Sequence, residues 1–189
     1  RFDEALREID RALEMDPLSV IISTAKGRIL YFAGRYDEAI EQFERTTTLN
    51  PQFAGVYFDL SVTCTEKGMY SDALDAAREI GRLSGGQIRE WTLKALIHAH
   101  RGDQEKVREA VRQVEELSET HDIQHMTRGF LQVALGDFDR AFEHLEEACE
   151  RHEAGLVYLQ CEPTFAALRS DPRYESLARK IGFPPIPAR

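Results

Sequence analysis

The stretch Gly34-Arg35-Tyr36-Asp37-Glu38-Ala39-Ile40-Glu41-Gln42-Phe43, with Pro51 eight residues beyond it, decides how the rest of the chain is read. Its glycine recurs at Gly68, Gly102 and Gly136, each step being thirty-four residues. A second comb, five positions behind, runs Ala39, Ala73, Val107 and Ala141, with Ala5 one period upstream. Pro17 and Pro51 form a shorter third one. A period of about twenty to fifty residues carried by small residues and turn formers marks a stacked-repeat solenoid, in which each unit buries its apolar face only against its neighbours.

Within the quoted stretch, Tyr36, Ala39, Ile40, Phe43 and Thr47 lie three and four apart, so they share one face of a helix. The same periodicity predicts helices over residues 2–15, 18–32, 36–48, 53–67, 70–83, 87–101, 103–117, 122–135 and 138–151. Links of two to four residues force antiparallel neighbours, so the units are helical hairpins. Four full repeats are expected at 18–51, 52–85, 86–119 and 120–152. Residues 1–17 read as the second half of a repeat whose first helix is missing, which suggests a fragment or a trimmed chain.

These registers resemble the tetratricopeptide repeat family, whose unit has small residues at its eighth and twentieth positions and proline near its thirty-second. Gly27, Ala95 and Gly129 match the eighth, Ala5, Ala39, Ala73 and Ala141 the twentieth, and Tyr57 and Trp91 the aromatic fourth. The resemblance implies an all-α, right-handed superhelix of tetratricopeptide hairpins. The small residues would let helix backbones approach closely while Phe43 and Leu145 fill the neighbouring gap. Val107 departs from the alanine pattern, and Lys26, Lys94 and Arg128 stand where the family usually has leucine. Their aliphatic stems are expected to pack while their heads reach water.

Residues 153–189 read differently, as a cap. Pro163 and Pro172 each open a short apolar-patterned helix, where a missing N–H costs nothing, and Asp171 is placed to cap the second. A terminal repeat needs such a cover for its last exposed face. The segment from Phe165 to Tyr174, ending in Gly182-Phe183-Pro184, also resembles the close of tetratricopeptide regions in bacterial signalling and transcription regulators. The Pro184-Pro185-Ile186-Pro187 tail is expected to be extended.

Composition narrows the function classes. Apolar residues make up 42% of the 189, enough for a continuous core, and no run is long enough to span a membrane. A net charge of −9 argues against general nucleic-acid binding, which needs a basic face. The tail from Leu156 to Arg189, with five basic and three acidic residues, departs from that acidic balance. Three cysteines, Cys64, Cys149 and Cys161, odd in number and unpaired by spacing, suit a reducing, cytoplasmic setting.

Two motifs invite chemistry and fail to complete it. Leu83-Ser84-Gly85-Gly86-Gln87 spells the signature of ATP-binding-cassette ATPases, yet no phosphate loop accompanies it and the repeat register puts it at a turn. His121 and His125 are four apart, as metal-binding pairs are, but a zinc site needs further ligands, for which Glu119, Asp122 and His98 or His100 of the neighbouring repeat would have to approach, and the intervening residues carry no catalytic glutamate. No catalytic residue, metal site or cofactor is therefore expected, and the chain reads as a non-enzyme.

The informative surface is the inner face of the first helices, which in this family lines a concave groove. The resemblance places Arg28, Tyr31, Phe32, Phe58, Val62, Arg89, Leu96, Ile123, Met126, Phe130 and Val133 there. The Lys/Asn pattern that clamps a peptide carboxylate in some family members is missing, and the groove is mostly apolar. An apolar face of this size implies a protein or peptide partner. The bland alternative is internal packing against further repeats, the chain's own tail or a second copy. A different class of role is the regulatory end of a larger bacterial signalling protein.

Overall fold

The computed structural model describes residues 2–85 and 87–184. The described chain is helical without strands: α1 (Phe2–Met15), α2 (Val20–Phe32), α3 (Tyr36–Leu49), α4 (Ala54–Glu66), α5 (Tyr70–Ser84), α6 (Gln87–His100), α7 (Gln104–Ser118), α8 (His125–Leu135), α9 (Phe138–Glu150) and α10 (Pro172–Ile181). Two 3₁₀ segments, Ala154–Tyr158 and Pro163–Ser170, lie between α9 and α10. Gly86 and residues 185–189, and with them part of the Leu83–Gln87 turn and of the expected extended tail, lie outside the described residues.

The thirty-four-residue combs have a direct physical origin. Gly34, Gly68, Gly102 and Gly136 all adopt left-handed backbone, with φ of 74°, 79°, 75° and 79°, a conformation that glycine enters without a Cβ penalty. Each ends the first helix of a hairpin and reverses the chain into the second. The other comb is set by close approach. A Cβ on Gly27 would lie 2.3 Å from the ring of Phe43, and one on Gly129 would lie 3.2 Å from Leu145 Cδ2, so each pair interlocks α2 with α3 and α8 with α9. Ala39, Ala73, Val107 and Ala141 are all fully enclosed at the same joints.

The curvature follows from which helices touch. Successive first helices pack on one another, α2 on α4, α4 on α6 and α6 on α8, in addition to packing on the second helices. A layer whose members pack side by side forms the inner side of the bend, so α2, α4, α6 and α8 line the concave face. Of the three cations at leucine positions, Lys26 reaches Asp10 at 2.8 Å, and Lys94 reaches Glu90 at 2.6 Å while lying 3.9 Å over the Trp91 ring. Acid partners and an aromatic face meet those two ammonium groups.

The last repeat departs from the sequence expectation. Helix α8 begins at His125, three residues later than the periodicity predicts. The reason lies in Glu153, whose carboxylate accepts from the backbone N–H of His125 at 2.8 Å and of Met126 at 2.9 Å. A carboxylate there satisfies two orphan donors and complements the helix dipole. Glu153 is carried into place by His152, which stands in left-handed backbone with φ of 54°.

Beyond it, the cap is built as a second core. Leu159, Phe165 and Leu168 are fully enclosed with Leu145, and Tyr174 and Leu177 close the cluster. In the segment Pro163–Ser170, the first of the two short helices that open on proline, the three-residue turn puts Phe165 and Leu168 above one another, and it winds as 3₁₀. Each such side chain contributes about 1.5–3 kcal/mol by leaving water, so the cap is firmly attached. Asp171 caps α10 as expected, accepting from Arg173 N. The segment Ala154–Tyr158 had no clear signal in the sequence, being too short to show a period.

Candidate functional site

Of the eleven residues expected in the groove, three lie together on α2, four stay within reach of solvent, two are almost fully enclosed, Phe130 is half-buried between two cores, and Ile123 leaves the groove. Arg28, Tyr31 and Phe32 lie together on the inner face of α2. Arg28 Nε donates to both carboxylate oxygens of Asp59 on α4 at 2.9 Å, while Tyr31 is 4% exposed and Phe32 half-buried. Phe58, Val62 and Val133 are half-buried and Arg89 is exposed, leaving these four within reach of solvent. Leu96 and Met126 are almost fully enclosed.

Ile123 is a correction. It precedes α8, is 4% exposed and packs with Val111, Val114 and Leu131 in the core between α7 and α8. The late start of α8 under the Glu153 carboxylate removes residue 123 from the helical register that would have aimed it at the groove.

The concave face is not empty. Residues 154–170 cross it as a strap. Tyr158 stacks on Phe32 with centroids 5.7 Å apart and planes 18° from parallel, and Phe165 lies 4.5 Å from the Phe130 ring. The Tyr31 hydroxyl donates to Glu162 Oε1 at 2.8 Å, joining residues 131 apart in sequence. A Cβ on Gly155 would sit 3.3 Å from Met126 Cγ, so the strap's backbone rests on that side chain. Four of the predicted anchors thus face the chain's own tail. Beside the strap a cleft remains, lined by Leu96, Ala99, His100, Val133, Ala134 and Thr164.

Sequence reasoning missed the polar floor of this face. Glu162, 8% exposed, also accepts from Thr164 N and Oγ1 at 3.4 and 3.1 Å. Burial raises its pKa against the opposing pull of the Tyr31 and Thr164 hydrogen bonds. Burial likewise pushes Asp59 up to about 6 in spite of Arg28, and Glu66 up to about 7 with Glu162 adding to it. Burial first, and then Glu162, raises the Tyr31 phenol. His100 Nε2 lies 3.5 Å from Glu66, and burial lowers its pKa. Glu162 thus lies near enough to Asp59 and Glu66 for its charge to raise both, and it meets Tyr31 directly. The signal was present only as Asp59 and Glu66 on α4 and Glu162 between the two 3₁₀ segments, which a register alone cannot bring together.

The two sequence motifs fall at separate places in the fold. Gly85 is the left-handed C-cap of α5, with φ of 62°. His121 sits ahead of α8 with its ring on Thr120 and the Leu117 carbonyl, whereas His125 faces Glu147 and the His144 ring, so the two do not converge. Among the described residues no group of three or more His, Cys, Asp or Glu side chains is arranged to hold a metal ion, and no helix is long and apolar enough to cross a membrane.

The profile of the tetratricopeptide repeat family matches residues 1–45 and 24–87, which include the stretch read first. Residues 1–87 are similar to tetratricopeptide repeats, and the described chain has the fold of such repeats. Solved tetratricopeptide structures share the fold across nearly the whole chain. A thermophilic TPR protein of Thermus thermophilus is 23% identical, with a TM-score of 0.61 over 95% of this chain and 91% of that one. MamA of Desulfovibrio magneticus RS-1, residue 41 to its end, is 21% identical, with a TM-score of 0.55 over 81% and 88%. A tetratricopeptide repeat protein of Parabacteroides merdae is 14% identical, with a TM-score of 0.54 over 97% and 74%. No curated protein matches the chain. The tetratricopeptide hairpins run past the matched residues, since Gly102 and Gly136 make the same left-handed turns as Gly34 and Gly68.

Proposed function

We propose that the chain is a non-catalytic protein-interaction scaffold whose concave face holds an extended or single-turn segment of a partner protein. One observation carries this reading: the face already accommodates a non-repeat segment, the strap, through ring stacking, a buried hydrogen bond and apolar contact. A stiff surface of stacked hairpins binds such a segment with little ordering of its own. The net charge of −9 favours protein over nucleic acid as partner.

Affinity capture with this chain beside its Phe32→Ser form tests the reading. Phe32 is half-buried at the end of α2, so the variant is expected to keep its helicity and lose the partner. Phe130→Asp would be a poorer probe, because Phe130 packs between two cores and against Phe165. Equal capture by a folded Phe32→Ser chain removes the concave face from consideration.

A further inference from the structure

The strap is held unequally at its two ends. Towards α8 and α10, Phe165 and Leu168 are fully enclosed, Arg169 donates to the Glu162 carbonyl at 2.9 Å, and Tyr174 donates to the Leu159 carbonyl at 3.2 Å. Towards α2 the contacts are the Tyr31 to Glu162 hydrogen bond and the stack of Tyr158 on Phe32, with Tyr158 also beside the Arg28 guanidinium. Tyr158 itself stays 41% exposed and its neighbour Val157 61% exposed. The electrostatics also oppose this end: Glu162 is buried near enough to Asp59 and Glu66 for its charge to raise both, and Arg28 is engaged by Asp59. Ring and carboxylate are set on the same side by one tight turn, in which Glu162 N donates to the Tyr158 carbonyl at 2.8 Å.

We propose that residues 158–162 are a releasable latch, and that a partner segment with an aromatic ring four residues ahead of a carboxylate takes their place on Arg28, Tyr31 and Phe32. The inference rests on the concave-face reading above and adds to it the chemistry of the occupant and its regulation by the chain's own tail. The partner segment closes one helical turn, as the latch does, and places its ring on Phe32 and its carboxylate under the Tyr31 hydroxyl. The core end of the strap remains seated throughout, so release exposes the site without unfolding the cap.

The probe is a fluorescent peptide with the sequence of residues 156–165, its cysteine replaced by serine, titrated into the whole chain and followed by anisotropy. A chain carrying Tyr158→Ala and Glu162→Ala loses the latch and keeps the receiving residues. Ring stacks and hydrogen bonds of this kind each shift an equilibrium by a few-fold to about tenfold. Removing the internal competitor is therefore expected to tighten binding about tenfold or more. Adding Phe32→Ala should abolish it. In the opposite direction, Glu162→Gln keeps an acceptor for Tyr31 and removes the charge within reach of Asp59 and Glu66, so at about pH 8 it should weaken binding several-fold. The second variant decides the matter if the doubly substituted chain loses helicity. Equal binding by the wild-type, latch-deleted and Glu162→Gln chains, or binding by none, overturns the inference. If a captured partner still depends on Phe32 in that case, the proposed function survives without it.

Discussion

Substituting Glu66 by glutamine should stabilise the protein at high pH and leave it unchanged at low pH. Glu66 ends α4 beside His100, and burial with Glu162 nearby raises it to about 7 from an ordinary 4.5. A folded-state pKa above the unfolded one means that the folded chain binds the proton more readily. The corresponding stability is fully present below the ordinary glutamate range and is lost as pH rises through about 7. A change of that size corresponds to roughly 3 kcal/mol at about 1.4 kcal/mol per tenfold change in ionisation. Because the side chain keeps some contact with water, about half is expected to survive screening, ~1–2 kcal/mol. In a chain of this length that is about 3–6 °C in Tm. Glutamine keeps the shape and has no charge, so Glu66→Gln should melt about 3–6 °C above wild type near pH 8 and within about 1 °C of it near pH 5. The comparison with wild type at each pH matters, because His98, His100 and His144, whose pKa values burial lowers, pull the other way as pH falls in both chains. Thermal melts by circular dichroism at the two pH values settle it. A variant no more stable than wild type near pH 8, or a gain of equal size at both, would refute a carboxyl held in a low-dielectric pocket.

Three further outcomes follow from the packing. Gly27→Ala drives a methyl to 2.3 Å from the enclosed Phe43 ring, and overpacking of this kind costs roughly 1–3 kcal/mol, which urea titration should show as a lower midpoint. Glu153→Ala leaves two N–H groups at the start of α8 without their carboxylate, and a loss of about 1–2 kcal/mol is expected, with amide exchange accelerated at His125 and Met126. His152→Gly relieves a left-handed residue with φ of 54° and should raise stability by about 1 kcal/mol. A fall in Tm would mean that the side chain contributes more than its backbone conformation costs.

The repeat was legible because its causes are local. A glycine that must take positive φ at Gly34, and a glycine that must admit a ring at Gly27, leave their mark at fixed spacing whatever the rest of the chain does. Helix boundaries were legible for the same reason, and they failed where a distant residue intervened. Helix α8 starts late because Glu153, twenty-eight residues beyond His125, supplies its cap, and that contact has no period. Ile123 then turned into the core, although the register placed it in the groove.

The groove itself shows where such reading stops. Tyr31, Phe32 and Phe130 were legible as inward-facing residues because helical spacing sets direction, but spacing is silent on what lies opposite. The partner of Tyr31 is Glu162, 131 residues away and outside the repeats, and a lone glutamate before a proline carries no mark of burial. Its surroundings decide its chemistry: it is buried within electrostatic reach of Asp59 and Glu66, where Arg28 is already engaged. A segment selected only to cap the solenoid could fill the same space with apolar side chains, as Phe165 and Leu168 do at the other end. Placing a buried acid there instead weakens the closure at the α2 end, and that weakness makes the contact a point of control.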